Sequence, residues 1–132
     1  MKKLVNLFLI LLFTGTFNPS IVLSDETYEL AKCLKVVSIK TKKKMGIPSF
    51  GILREESVIV ELQNSCKFGI SGSFLLHFLD KDGFLVNEEI QSFQIIRKGL
   101  ARVSFISMFS PARSFKKVKS KEIKYHYLEK LE

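Results

Sequence analysis

FLDKDGFLVNEE, residues 78–89, carries two aspartates and a glycine between apolar runs. It fits either part of a calcium loop or a hairpin turn, and the two imply different folds. Set on the calcium template D-x-[DN]-x-[DN]-G-x5-E with Gly83 at the sixth position, it places Asp80 third, Asp82 fifth and Glu89 twelfth. The first position, where a carboxylate must anchor the cation, is Phe78. The flanks alternate as strands do, whereas calcium loops lie between helices. A strand from Phe84 onward would carry Glu89 roughly 20 Å from Gly83, at about 3.3 Å per residue. Asp82-Gly83 between apolar runs is a hairpin signal, because both residues tolerate the positive φ of a tight turn. The stretch is read as a hairpin, with no metal and no other cofactor expected.

Working outward from that turn, SFLLHFLD sets Phe74, Leu76 and Phe78 on one face and Leu75, His77 and Leu79 on the other, so both faces are partly apolar. Upstream, SVIVELQN alternates Val58, Val60 and Leu62 against Ile59, Glu61 and Gln63, a strand with one apolar face. CLKVVSIKTK is β-branched and extended, and KKMGIPSFG is a loop carrying Gly46, Pro48 and Gly51. Asn64 to Gly72 reads as a turn region. Downstream, FLVNEEIQSFQII supplies one or two short strands and RKG at 97–99 another turn. LARVSFISMF alternates Ala101, Val103 and Phe105 against Arg102, Ser104 and Ile106 until Pro111 ends it. The last segment, FKKVKSKEIKYHYLEKL, has helix-compatible Lys and Glu content, yet Ile123, Tyr125 and Tyr127 alternate with Lys124 and His126, which is strand spacing. Short strands at regular intervals predict an all-β fold, an immunoglobulin-like β-sandwich of about seven strands.

The first residues, MKKLVNLFLILLFTGTF, follow the plan of a secretory signal: Lys2 and Lys3, then an apolar core from Leu4 to Phe13. A membrane span needs about 20 apolar residues, and this run is broken by Thr14, Gly15 and Pro19. Residues 1–24 are read as a signal peptide cleaved near Ser24–Asp25, with an uncleaved N-terminal anchor as the competing reading. Residues 25–132 then form a single domain, large enough for one core. Export to the periplasm or the exterior follows. In that setting Cys33 and Cys66 read as a disulfide, against two buried free thiols that never meet. A lipoprotein reading of LAKC fails, since Lys32 is a poor residue before a lipidated cysteine and Cys33 lies far beyond the apolar core.

The chain has 21 basic and 13 acidic residues, a net charge of +8. The excess lies in two runs, Lys32–Lys44 and Arg113–Lys124. In an immunoglobulin-like sandwich the first and last strands usually lie together, so Lys40, Lys42, Lys43 and Lys44 would merge with Lys116, Lys117, Lys119 and Lys121 into one positive surface. Such a surface attracts anionic lipid, cell-wall polymer or an acidic envelope protein, at about 1 kcal/mol per lysine near an anionic membrane. The plainer reading is solvated lysines that guard edge strands. Nucleic acid is disfavoured by export, and no small-molecule substrate is expected.

Enzymatic signatures are sparse. There is no G-x-S-x-G, no C-x-x-C and no phosphate-binding glycine loop, and neither His77 nor His126 has a histidine partner at metal-pair spacing. The chain is read as non-catalytic; the alternative is a small metal-dependent or hydrolytic enzyme using Asp80, Asp82 and His77.

The stretch VIVELQNSCKFGISGSFLLHFLDKDGFLVNEE, followed by RKGLARVSF, resembles the small immunoglobulin-like FxLYD-type domains of exported bacterial proteins. The matching positions are Asn64-Ser65, Phe78-Leu79-Asp80 with Asp82-Gly83, and Lys98-Gly99. Cys66 and the absence of Pro at position 98 depart from the pattern. The resemblance implies a non-catalytic seven-stranded sandwich for adhesion or assembly and transfers no functional residue.

Overall fold

The computed structural model describes residues 24–43 and 52–131. The expected signal peptide, apart from Ser24, and Lys44 lie outside them. The described chain forms α1 (Asp25–Ala31), β1 (Leu34–Lys43), β2 (Arg54–Asn64), β3 (Gly69–Leu79), β4 (Leu85–Ile95) and β5 (Leu100–Phe109), then a 3-10 helix (Ala112–Lys117) and β6 (Ser120–Leu131). Two antiparallel three-stranded sheets result, ordered β1-β2-β5 and β4-β3-β6. Among the described residues there are six strands where about seven were expected. The difference lies partly at FLVNEEIQSFQII, which is one long strand, β4.

The alternation read at Val58, Val60 and Leu62 extends to Glu56 and Asn64, and all five side chains are 2% exposed or less. From the other sheet, Ile70, Phe74, Leu76 and Phe78 of β3 are fully buried. The sheets meet through aromatic rings: Phe74 lies 6.4 Å from Phe105, and Phe78 makes an edge contact with Phe109 at 5.0 Å. These are the spacings at which tilted and edge-on pairs add to the benefit of burial. The last segment is a strand, as its spacing indicated.

Three of the four edge strands carry a one-residue bulge. Val37 on β1, Val86 on β4 and His126 on β6 are each skipped by the register of the neighbouring strand. A bulge shifts side-chain parity by one. Tyr127 therefore stands on the outer face, half-exposed, instead of continuing the inward set of Ile123 and Tyr125. Gly72, read as part of a turn, lies within β3, where a Cβ would run into the Tyr127 carbonyl. The glycine lets β6 approach closely at the His126 bulge.

Helix α1 is only seven residues long, so its caps and packing matter. The Ser24 hydroxyl accepts the Thr27 N–H, and Asp25 and Glu26 sit in the first turn against the positive end of the helix dipole. The buried Thr27 hydroxyl accepts the Leu128 N–H and donates to the Leu128 carbonyl. It thus takes up groups that an edge strand otherwise leaves open. On the opposite flank Asn87 Nδ2 donates to the Ser107 hydroxyl at 2.8 Å and to the Met108 carbonyl at 3.0 Å, joining β4 to β5 across the two sheets.

One end of the sandwich is locked. Cys33 and Cys66 form a disulfide with Cα atoms 5.4 Å apart, closing a 33-residue separation, a constraint of about 2 to 4 kcal/mol. Beside it, Asn64 Nδ2 donates to the carbonyls of Phe68 (2.8 Å) and Ile96 (3.2 Å), while Asn64 Oδ1 accepts the Cys66 N–H (3.0 Å). Asn64→Ala leaves these groups unpaired and should cost about 2 to 4 kcal/mol in urea unfolding. Asn64→Asp, which keeps size but turns an anionic oxygen toward two carbonyls, should cost at least as much. A loss under about 0.5 kcal/mol in either variant, within the range of ordinary surface changes, would show the amide is not a lock.

Candidate functional site

The 78–89 stretch is a closed hairpin. Asp80 Oδ1 accepts the N–H groups of Asp82 and Phe84, both at 2.9 Å, and the Asp80 N–H donates to the Phe84 carbonyl. Gly83 takes φ +84°, the left-handed conformation the turn reading requires. The calcium-template residues are dispersed: Asp80 is engaged within the turn, and Glu89, on β4, accepts the Ser107 hydroxyl at 3.0 Å. Among the described residues, no group of three or more His, Cys, Asp or Glu is placed to hold a metal.

His77 stands on the outer face of its sheet, in register between Glu88 of β4 and Glu122 of β6. Its Nε2 is 2.7 Å from Glu88 Oε2. The partner is cross-strand, so no sequence spacing announced it. Asp80 and Asp82 line a cleft of about 350 Å³ with Lys81, Lys117 and Lys119. His77 does not line it, so the residues of the enzymatic alternative are not brought into one pocket.

The lysines divide between β1 and the segment from the 3-10 helix into β6. Lys40 and Lys42 project from the outer face of β1, in register with Ile59 and Ser57, and Lys40 Nζ approaches Glu61 at 4.0 Å. Lys43 ends the same strand, exposed. Lys116 and Lys117 lie on the 3-10 helix, Lys119 just before β6, and Lys121 on β6 opposite Phe78. β6 pairs with β3 and not with β1, so the expected adjacency of first and last strands is not a hydrogen-bonded one. The strand directions nevertheless bring both groups to one end of the sandwich, away from the disulfide. There Lys117 and Lys119 share their cleft with two aspartates, which offset part of the positive charge.

The sequence reading passed over a buried polar set at this same end. Glu56 is 2% exposed, and its Oε2 lies 2.7 Å from Arg54 Nε. The Arg54 guanidinium sits 3.9 Å from the centre of the Phe115 ring, which makes an edge contact with Phe109 at 5.0 Å. A buried carboxylate needs such a partner. Here the pair also pins the 3-10 helix to β2 through a cation–π contact. The available signal was parity, because Glu56 continues the inward series of Val58, Val60 and Leu62.

No family model matches the chain, and no curated protein matches it. Among solved structures it is similar to an X-ray structure of a Northeast Structural Genomics Consortium target, at 10% identity and a TM-score of 0.43, covering 83% of this chain and 88% of that one. A likeness this loose carries no functional inference.

Burial pushes the Tyr125 phenol up to about 12, and its hydroxyl has no hydrogen-bond partner among the described residues. An unfolded tyrosine ionises near pH 10. Between the two values the unfolded chain releases a proton that the folded chain keeps, so stability is intact below pH 10 and falls as pH rises toward 12. Tyr125→Phe should flatten that decline between pH 10 and 12 in urea unfolding. At pH 7 it should be neutral or stabilising by up to about 1 kcal/mol, since it removes an unpaired buried hydroxyl. Destabilisation at pH 7 together with an unchanged alkaline slope would count against this account.

Proposed function

We propose that the chain is an exported, non-catalytic immunoglobulin-like module that binds an anionic surface of the cell envelope, lipid headgroup or acidic polymer, through the lysine-rich end of its sandwich. The observation that carries this reading is the arrival at the same end of Lys40, Lys42 and Lys43 from β1, Lys116 and Lys117 from the 3-10 helix, Lys119 from the link that follows it and Lys121 from β6. Flexible lysines at strand ends suit a diffuse anionic surface better than a bidentate site, for which arginine is the usual choice. Export, and with it the signal peptide at 1–24, is supported by the Cys33–Cys66 disulfide, a bond that persists in oxidising compartments. The resemblance at Asn64-Ser65, Asp82-Gly83 and Lys98-Gly99 supports the immunoglobulin-like assignment.

Co-sedimentation with vesicles of anionic and of neutral lipid tests the reading. Binding should be confined to the anionic vesicles and weaken sharply with salt. The quadruple variant Lys42→Glu, Lys43→Glu, Lys116→Glu, Lys117→Glu should bind at least about 100-fold more weakly, at about 1 kcal/mol per lysine. Equal binding to neutral vesicles, or binding untouched by the four substitutions, excludes a lysine-driven lipid surface. Retention by isolated anionic cell-wall polymer but not by vesicles would identify the polymer as the surface.

A further inference from the structure

Of the four edge strands, β5 alone carries no bulge. β1 is broken by its Val37 bulge and bears Lys35, Lys40, Lys42 and Lys43. β4 is bulged at Val86 and carries Glu88 and Glu89. β6 is bulged at His126, and Thr27 of α1 occupies the edge groups of Leu128. β5 pairs with β2 in unbroken register from Leu100 to Phe109. Two contacts fix which of its backbone groups face outward. The Gly99 carbonyl accepts the Asn64 N–H on the β2 side, whereas the Met108 carbonyl, on the other side, accepts Asn87 Nδ2. Even-numbered residues therefore present their N–H and C=O groups to the free edge. Those of Arg102, Ser104 and Ile106 have no partner among the described residues. The same strand exposes Leu100 (66%), Ile106 (40%) and Met108 (48%) on the outer face of the sheet.

We propose that this edge pairs antiparallel with β5 of a second copy of the chain about a two-fold axis through Ser104. In that register Leu100 meets Met108, Arg102 meets Ile106 and Ser104 meets itself, so each exposed apolar side chain gains a cross-strand neighbour from the partner. The three open residues of each copy would form about six main-chain hydrogen bonds. Charge admits this occupant. Arg102 is the one charged residue of β5, and the two copies of it would stand about 13 Å apart along the strand, beyond the screening length at physiological salt. Like pairing at β1 would bring lysines together. The dimer is a continuous six-stranded sheet, independent of what the lysine-rich end binds.

Sedimentation equilibrium of the protein purified after expression from its full-length sequence tests this, run over a dilution series from millimolar to micromolar. The wild type should dimerise. Ser104→Pro removes only an outward N–H and spares the β2 ladder, as edge proline does, and Ile106→Lys sets a second cation opposite Arg102. Either should weaken the dimer at least tenfold with an unchanged circular dichroism spectrum, and if the proline variant fails to fold, the lysine variant decides. The register has its own readout: Ser104→Cys should oxidise to a covalent dimer and Leu100→Cys should not. A wild type that is monomeric throughout, a dimer that survives Ile106→Lys, or cross-linking at position 100 and not at 104 would overturn the proposal.

Discussion

The Asn64 carboxamide holds together the two places where the chain crosses between sheets on its way from β2 to β5. The β2–β3 connection receives it at the Phe68 carbonyl and the Cys66 N–H, and the β4–β5 connection at the Ile96 carbonyl. Without those bonds, three backbone groups near the protein interior would need other partners, and buried polar groups are costly to leave unpaired. The disulfide lies one residue from Ser65, whose N–H and hydroxyl both donate to the Cys33 carbonyl. Covalent and hydrogen-bonded constraints therefore act on the same few residues. They fix where β1, β3 and β5 begin, and thereby the register in which the phenylalanine layer closes.

Much of this was legible as parity. The series 58-60-62, 74-76-78 and 101-103-105 marked the inner faces, and the turn at Asp82-Gly83 marked the β3–β4 hairpin, because each depends on local backbone geometry alone. Bulges were not legible. Val37, Val86 and His126 are displaced by pairing with a strand distant in sequence, and no local pattern encodes that. Gly72 shows the same limit from the other side: in sequence a glycine near other turn residues reads as a turn, and only the close approach of β6 reveals why a strand requires it there.

Polar positions within the apolar series were visible, but their meaning was not. Glu56, Asn64 and Ser107 all share parity with core residues, yet some of their partners, Ile96 for Asn64 and Asn87 and Glu89 for Ser107, come from segments that sequence proximity does not predict. The lysines behaved oppositely. Their number was plain from composition, while their placement depended on strand direction and sheet order, which set Lys40–Lys43 of β1 and the run Lys116–Lys121 of the 3-10 helix and β6 at one end.

The molecule is consequently polarised along its strands. The amide and disulfide locks occupy the end where β2 finishes, and the lysines gather at the end where it begins. At that second end the half-buried Arg54, paired with the buried Glu56, and the Phe115–Phe109 contact hold the 3-10 helix, leaving Lys116 and Lys117 on its exposed side. Charge can be altered there without touching the locks, because exposed lysines contribute little to folding. Stability and surface binding are thus separable in this fold, and the open β5 edge, running between the two ends, belongs to neither.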